Sequence, residues 1–174
     1  MTQNQASKLP SVELWTDGSV MGNPGKGGWA AILRMGTRCR VLGGYVPMAT
    51  NNYMEALGAL EGLRALNQPC NVSLYTDSRY VINGVARLQR RSRLKTNVEI
   101  WDQMAPHVAR HSIQLIQVAG HSGYTYNEYA DTVASSAREW EAKIDYYTET
   151  VPEAVQKRSD RRKGKQAART QRLP

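Results

Sequence analysis

The chain is short of cysteine, of long apolar runs and, near its C-terminus, of acids. Its two cysteines, Cys39 and Cys70, form neither a CxxC pair nor a disulfide framework. They read as free thiols of a reducing cytosol. No apolar run approaches the roughly 18 residues of a membrane span, and the N-terminus MTQNQASKLP lacks the apolar stretch of a secretion signal. The expectation is a cytoplasmic protein without membrane contact. No repeat of about 20 to 50 residues is visible, which excludes a solenoid. The 174 residues suffice for one domain with its own core.

What the chain does have is basic charge, unevenly placed. The formal net charge is +8. From Lys157 onward eight Lys or Arg face one acid, Asp160, so residues 1–156 are left with only +1. Within that near-neutral body Arg87, Arg90, Arg91, Arg93 and Lys95 form a second cluster. A polyanionic partner fits this distribution, because each neutralised phosphate releases counterions. A solvated face with a solubilising tail fits it equally, and charge alone does not separate the two.

Residues 1–10 read as disordered. Val12 to Asp17 alternates as a strand, the glycine-rich stretch Gly18 to Gly28 reads as a tight loop, and Trp29–Arg34 and Arg38–Val46 read as two more strands. The period then changes. Met54, Leu57, Leu60 and Leu63 share one side of a helix, with Asn51 or Asn52 as its N-cap. Val72–Asp77 is a strand, and Ser78 is placed to cap a short helix after it. Val98 to about Arg110 reads as a helix with a kink or break at Pro106, and Ile113–Val118 as a strand buried on both faces. Ala130, Val133, Ala134, Ala137 and Trp140 make the stripe of a last helix. Past residue 147 the pattern fades into a basic tail, 148–174, expected to be disordered. The order predicts an α/β domain over 11–147: a mixed five-stranded sheet, antiparallel in its first three strands and parallel in its last two, flanked by helices.

Four acids occupy unusual places in this order. Asp17 and Asp77 each end an apolar strand, in T-D-G-S and T-D-S contexts, where α/β sheets bind ligands. Glu55 lies beside buried Met54, and Asp131 beside Ala130 at the margin of an apolar stripe. Singly, each has an ordinary reading as a turn-former or a helix-start acid. Together they would repel one another and raise their pKa values unless cations intervene. Oxygen-only ligands suit hard cations such as Mg²⁺.

T-D-G-S-x-x-G-N-P-G at 16–25, T-N-N-x-M-E at 50–55, T-D-S at 76–78 and G-H-S-G…N-E-x-x-D at 120–131 appear in the order and near the spacing of type 1 ribonuclease H. Each motif is weak alone, but the set is specific, and over about residues 11–140 the chain resembles that family. The resemblance implies a ribonuclease H-like fold and a sequence-nonspecific endonuclease that cuts the RNA strand of RNA–DNA hybrids to 5′-phosphate products. It implies that Asp17, Glu55, Asp77 and Asp131 hold two Mg²⁺ ions, with Mn²⁺ as a substitute. His121 matches the family's flexible-loop histidine, which helps protons move or product leave. Asn23, Asn51 and Asn52 match minor-groove contacts, Thr50 a DNA-phosphate grip, and Arg79 stands at a substrate-contact position. Helix capping by Asn51 or Asn52 and a turn at Asn23 remain compatible with those contacts. His107 and His111 match nothing.

Three departures bear on affinity. Arg79 replaces a glutamine frequent after T-D-S in bacterial members. The basic protrusion is reduced to about 87–95 and has no tryptophan, and Ala119 replaces a lysine common before G-H. The tail from 157 to 172 is a candidate second phosphate contact that offsets the shortened protrusion. A monomer is expected. The competing readings are an integrase-like or Holliday-junction-resolving enzyme, a hybrid-binding protein without catalysis, and a generic basic RNA-binding domain. The first lacks the T-N-N-x-M-E and G-N-P-G motifs, the second would lack a carboxylate, and the third gives no reason for four acids.

Overall fold

The computed structural model describes residues 9–120 and 123–170. Eleven elements follow one another: β1 (Ser11–Gly22), β2 (Gly25–Met35), β3 (Arg38–Ala49), α1 (Asn51–Arg64), β4 (Asn71–Thr76), α2 (Arg79–Gln89), α3 (Val98–Arg110), β5 (Ser112–Gln117), α4 (Thr125–Trp140), β6 (Ile144–Thr148) and α5 (Glu153–Thr170). The strands form one sheet in the order β5-β4-β1-β2-β3-β6. β1, β2 and β3 pair antiparallel, and β1, β4 and β5 pair parallel. The mixed α/β sheet is the one predicted, with a sixth strand, β6, antiparallel on β3.

Alternation along the strands divides the apolar side chains between two cores. Val12, Leu14, Ala31, Leu33, Val72 and Leu74 face the helices α1 to α3, which bring Leu60, Leu63, Trp101 and Met104. Trp15, Ala30, Ile32 and Val41 face α4, which brings Tyr129, Ala130, Val133 and Ala134, and are joined by Val155 of α5. The central strands are thus covered on both faces.

Several expectations are corrected. The glycine-rich stretch 18–28 is mostly strand, because β1 and β2 pair as far as Gly22 and Gly25 and leave only a short turn at Asn23–Pro24. β5 is an edge strand and not a central one, and all six of its residues are only half-buried or exposed. α3 runs through Pro106 to Arg110. Trp140 ends the α4 stripe but is exposed, since α4 stops there. The stretch expected to be a disordered tail contains the end of β6 and the helix α5, which docks through Val155 and Ser159. Of the expected disordered N-terminus, residues 1–8 lie outside the described residues.

Candidate metal and nucleic-acid site

Asp17 and Asp77 are brought together by strand register. In the parallel β1–β4 pair Trp15 lies opposite Tyr75, and their rings stack at 3.9 Å with planes 7° apart. Such a pair contributes about 0.5–1.5 kcal/mol beyond its buried area. Two residues further on stand the two aspartates, Asp17 within β1 and Asp77 just past the end of β4. Glu55 arrives from α1 because Gly18 lets the helix backbone come close. A Cβ on Gly18 would sit 2.6 Å from the Glu55 amide nitrogen and 2.9 Å from the Met54 carbonyl carbon.

Asp17, Glu55 and Asp77 each offer one carboxylate oxygen, and these oxygens all lie within 4.8 Å of one another. Asp17 and Glu55 are buried, and Asp77 is half-buried. Burial first, then the charges of Glu55, Asp77 and Asp131, push the Asp17 carboxyl well above its ordinary range, against the Gly18 amide that donates to Oδ1 at 2.8 Å. Burial and the Asp77 charge push Glu55 up to about 8, opposed by a hydrogen bond from the Asn51 side chain. Asp131, half-buried on α4, acts on Asp17 through its charge but is not a member of the tight triplet.

A hard divalent cation fits this donor set on two observations. The triplet supplies oxygen ligands only, and Glu55 Oε2 is buried with no hydrogen-bond partner among the described residues. An orphaned buried carboxylate oxygen costs free energy unless a cation or donor meets it.

The T-N-N motif is tied to both the turn and the carboxylates. Thr50, and neither asparagine, caps α1: its hydroxyl accepts from the Tyr53 amide at 3.3 Å. Asn51 is thereby left to make two links. Its backbone N–H donates to Asn23 Oδ1 at 3.1 Å, and its side-chain amide donates to Glu55 Oε1 at 3.2 Å. Asn23, Thr50, Asn51, Asn52 and Arg79 are all exposed, Arg79 as the first residue of α2. Ser78 caps α2 as expected, accepting from the Val81 amide at 3.3 Å. Arg87, Arg90, Arg91, Arg93 and Lys95 are exposed at the end of α2 and in the connection to α3.

His121 lies outside the described residues. The flanking glycines are described. A Cβ on Gly120 would lie 2.6 Å from Asp77 Oδ2, so the chain enters this segment at the carboxylates. His111, assigned no functional role from sequence, is buried, and its Nδ1 accepts from the Cys70 amide at 3.2 Å. Sequence reasoning did not single out Glu128, fully buried on α4 and paired with Arg162 of α5. The only signal was its place inside N-E-x-x-D.

Residues 10–139 match the family model described as RNase H. A ribonuclease H of Oleidesulfovibrio alaskensis is 44% identical over 137 residues, covering 72% of this chain and 89% of that protein. One of Chlorobium luteolum is 43% identical over 137 residues, covering 72% and 94%. Among solved structures, LC9-RNase H1, a type 1 RNase H with the type 2 active-site motif, superposes with a TM-score of 0.72 at 24% identity, covering 87% of this chain and 85% of its own. LC11-RNase H1, solved with an RNA/DNA hybrid, superposes with a TM-score of 0.58 at 19% identity, covering 74% and 97%. At those identities the likeness to the two structures is one of fold.

Proposed function

Because the chain belongs to the RNase H family, divalent-metal-dependent hydrolases of the RNA strand in RNA–DNA hybrids, we propose that it is a sequence-nonspecific endonuclease leaving 5′-phosphate ends. The observation that carries the reading is the triplet of carboxylate oxygens within 4.8 Å, two of the three residues being buried. Asp17, Glu55, Asp77 and Asp131 would hold two Mg²⁺ ions, or Mn²⁺ in their place. Bound there, such ions supply a more acidic water and charge for the leaving oxygen.

The chain's own residues do the rest. Asn51 holds Glu55 Oε1, which fixes the rotamer of one ligand. Through its backbone it also ties Glu55 to Asn23, so the turn and the carboxylates keep one spacing. The exposed amides of Asn23, Asn51 and Asn52 can donate to and accept from 2′-hydroxyls in the minor groove. That groove offers little sequence code, hence the lack of sequence preference. Thr50 would grip a DNA phosphate, and Arg79 would contact the substrate. His121 would carry a proton or ease product release, being ten residues before Asp131 in the sequence. The basic segment 87–95 and the basic tail would neutralise further phosphates, and the protein would act as a monomer. LC11-RNase H1 holds an RNA/DNA hybrid, and the same substrate class is proposed here.

The test is a substrate panel with 5′-labelled RNA in an RNA–DNA hybrid, as a single strand and in an RNA duplex, beside a branched DNA. Cutting of the hybrid alone, with products open to a 5′-phosphate-dependent exonuclease, is expected. Cutting of branched or plain duplex DNA would favour a resolvase-like enzyme, and binding without cutting would leave a hybrid-binding protein.

A further inference from the structure

The C-terminal helix α5 meets the catalytic domain at the first turns of α4. Val155 is buried with Trp15, Tyr129 and Ala130, and Ser159 and Arg162 lie one and two turns further along the same face of α5. Ser159 is fully buried. Its hydroxyl donates to the Gly123 carbonyl. A serine has one proton to give, so the Thr125 hydroxyl, 3.2 Å away, donates to Ser159 Oγ in turn. Arg162 pairs with Glu128, a carboxylate with no exposed surface. Gly123 has φ of +84°, and a Cβ there would lie 2.6 Å from Lys163 Cγ and 3.0 Å from the Ser159 carbonyl oxygen. Only glycine lets α5 seat so close in that backbone conformation.

These contacts fall on the two ends of a short stretch of chain. Gly120 abuts Asp77, Gly123 is held by Ser159, and Glu128 lies one helical turn before Asp131. We propose that Ser159 and Arg162 are positioning residues, and that docked α5 fixes Gly123 and the first turns of α4 so that Asp131 faces Asp17 at a productive distance. Ser159 is fully buried and Arg162 is engaged by Glu128, so within the basic tail phosphate contact is left to exposed cations such as Lys157 and Arg161. The effect of Ser159 and Arg162 belongs on turnover, because a small misplacement of a ligand carboxylate slows the step while leaving the binding surface intact. The proposal rests on the RNase H reading above.

The experiment measures kcat and KM for hybrid cleavage by the full-length chain and by Ser159→Ala, Arg162→Ala, Arg162→Lys and the double variant Lys157→Gln/Arg161→Gln, with a thermal melt of each. Lys157 and Arg161 are exposed on the same helix, so the double variant removes charge without touching the docked face. Expected are a fall in kcat of about tenfold for Ser159→Ala and Arg162→Ala with KM within about twofold of wild type, and recovery of most of kcat in Arg162→Lys. The double variant should raise KM and leave kcat alone. Ser159→Ala removes one oxygen and adds no bulk, so it decides the matter if Arg162→Ala fails to fold. Unchanged kcat in Ser159→Ala, or a rise in KM alone, overturns the positioning role and leaves α5 a charged appendage. A wild-type chain that does not cut the hybrid overturns the RNase H reading itself, and this proposal with it.

Discussion

Glu55 is a candidate ligand carboxylate with only one of its two oxygens met by a hydrogen bond among the described residues. Its side chain is buried, and Asn51 is the donor to that oxygen. With its pKa pushed from an ordinary 4.5 to about 8, the folded chain holds this proton more tightly than the unfolded chain does. Its contribution to stability is therefore present below pH 4.5 and is lost as pH rises through about 8. Glu55→Gln keeps the Asn51 hydrogen bond and cannot ionise. Melts in EDTA should show Glu55→Gln above wild type at about pH 9 by several degrees, at about 2–4 °C per kcal/mol for a chain of this size. The gain should shrink at about pH 5. An equal gain at both pH values, or a loss at the higher one, would contradict the strain. At this scale the sequence was legible for Asp17, Glu55 and Asp77, since strand ends and a helix start place carboxylates by local pattern. The double role of Asn51 was not, because it depends on how far the β1–β2 turn stands from α1, which no local pattern encodes.

Among the elements, the connection between α2 and α3 carries the basic segment that the family resemblance marks as reduced. It is short and lacks tryptophan, yet Arg90, Arg91, Arg93 and Lys95 are all exposed there, with Arg87 on the last turn of α2. Exposed cations at a surface gain little from neighbours and are available to phosphate. Replacing Arg90, Arg91 and Arg93 by alanine should raise KM for the hybrid and lower the slope of log KM against log salt by about 0.7–0.9 for each phosphate no longer neutralised. A raised KM with an unchanged slope would mean the segment acts by shape and not by charge. The helices and inner strands were legible because their periods are long and clean. β6 and α5 were not. β6 is a five-residue strand with no buried residue, and among the described side chains of α5 Val155 is the one apolar group buried in the core, with Ser159 and Arg162 along the same face. A helix docked by buried polar groups looks, in sequence, like a charged tail. β5 misled in the opposite sense. Its apolar residues read as a two-sided core strand, but the sheet ends there.

At the scale of the whole molecule, a six-stranded sheet separates α1 from α4, and the carboxylates of the two helices still act on one aspartate of the central strand β1. The parallel β1–β4 pair fixes Asp17 beside Asp77, Gly18 admits Glu55, and α4 brings Asp131 near enough to raise the proton affinity of Asp17. No helix among the described residues is long and apolar enough to cross a membrane. If these carboxylates form a metal site that cuts hybrid RNA, the reaction must depend both on a divalent cation and on each ligand oxygen. Asp77→Asn changes one ligand oxygen to an amide and hardly alters the shape. The deciding experiment is single-turnover cleavage of a labelled hybrid by wild type and Asp77→Asn, each in Mg²⁺ and in EDTA. Wild type should cut in Mg²⁺ only, and Asp77→Asn should be slower by about a hundred- to a thousandfold, the scale expected when one electrostatic interaction with the transition state is removed. Cutting in EDTA, or an Asp77→Asn rate within about tenfold of wild type, would contradict the metal site.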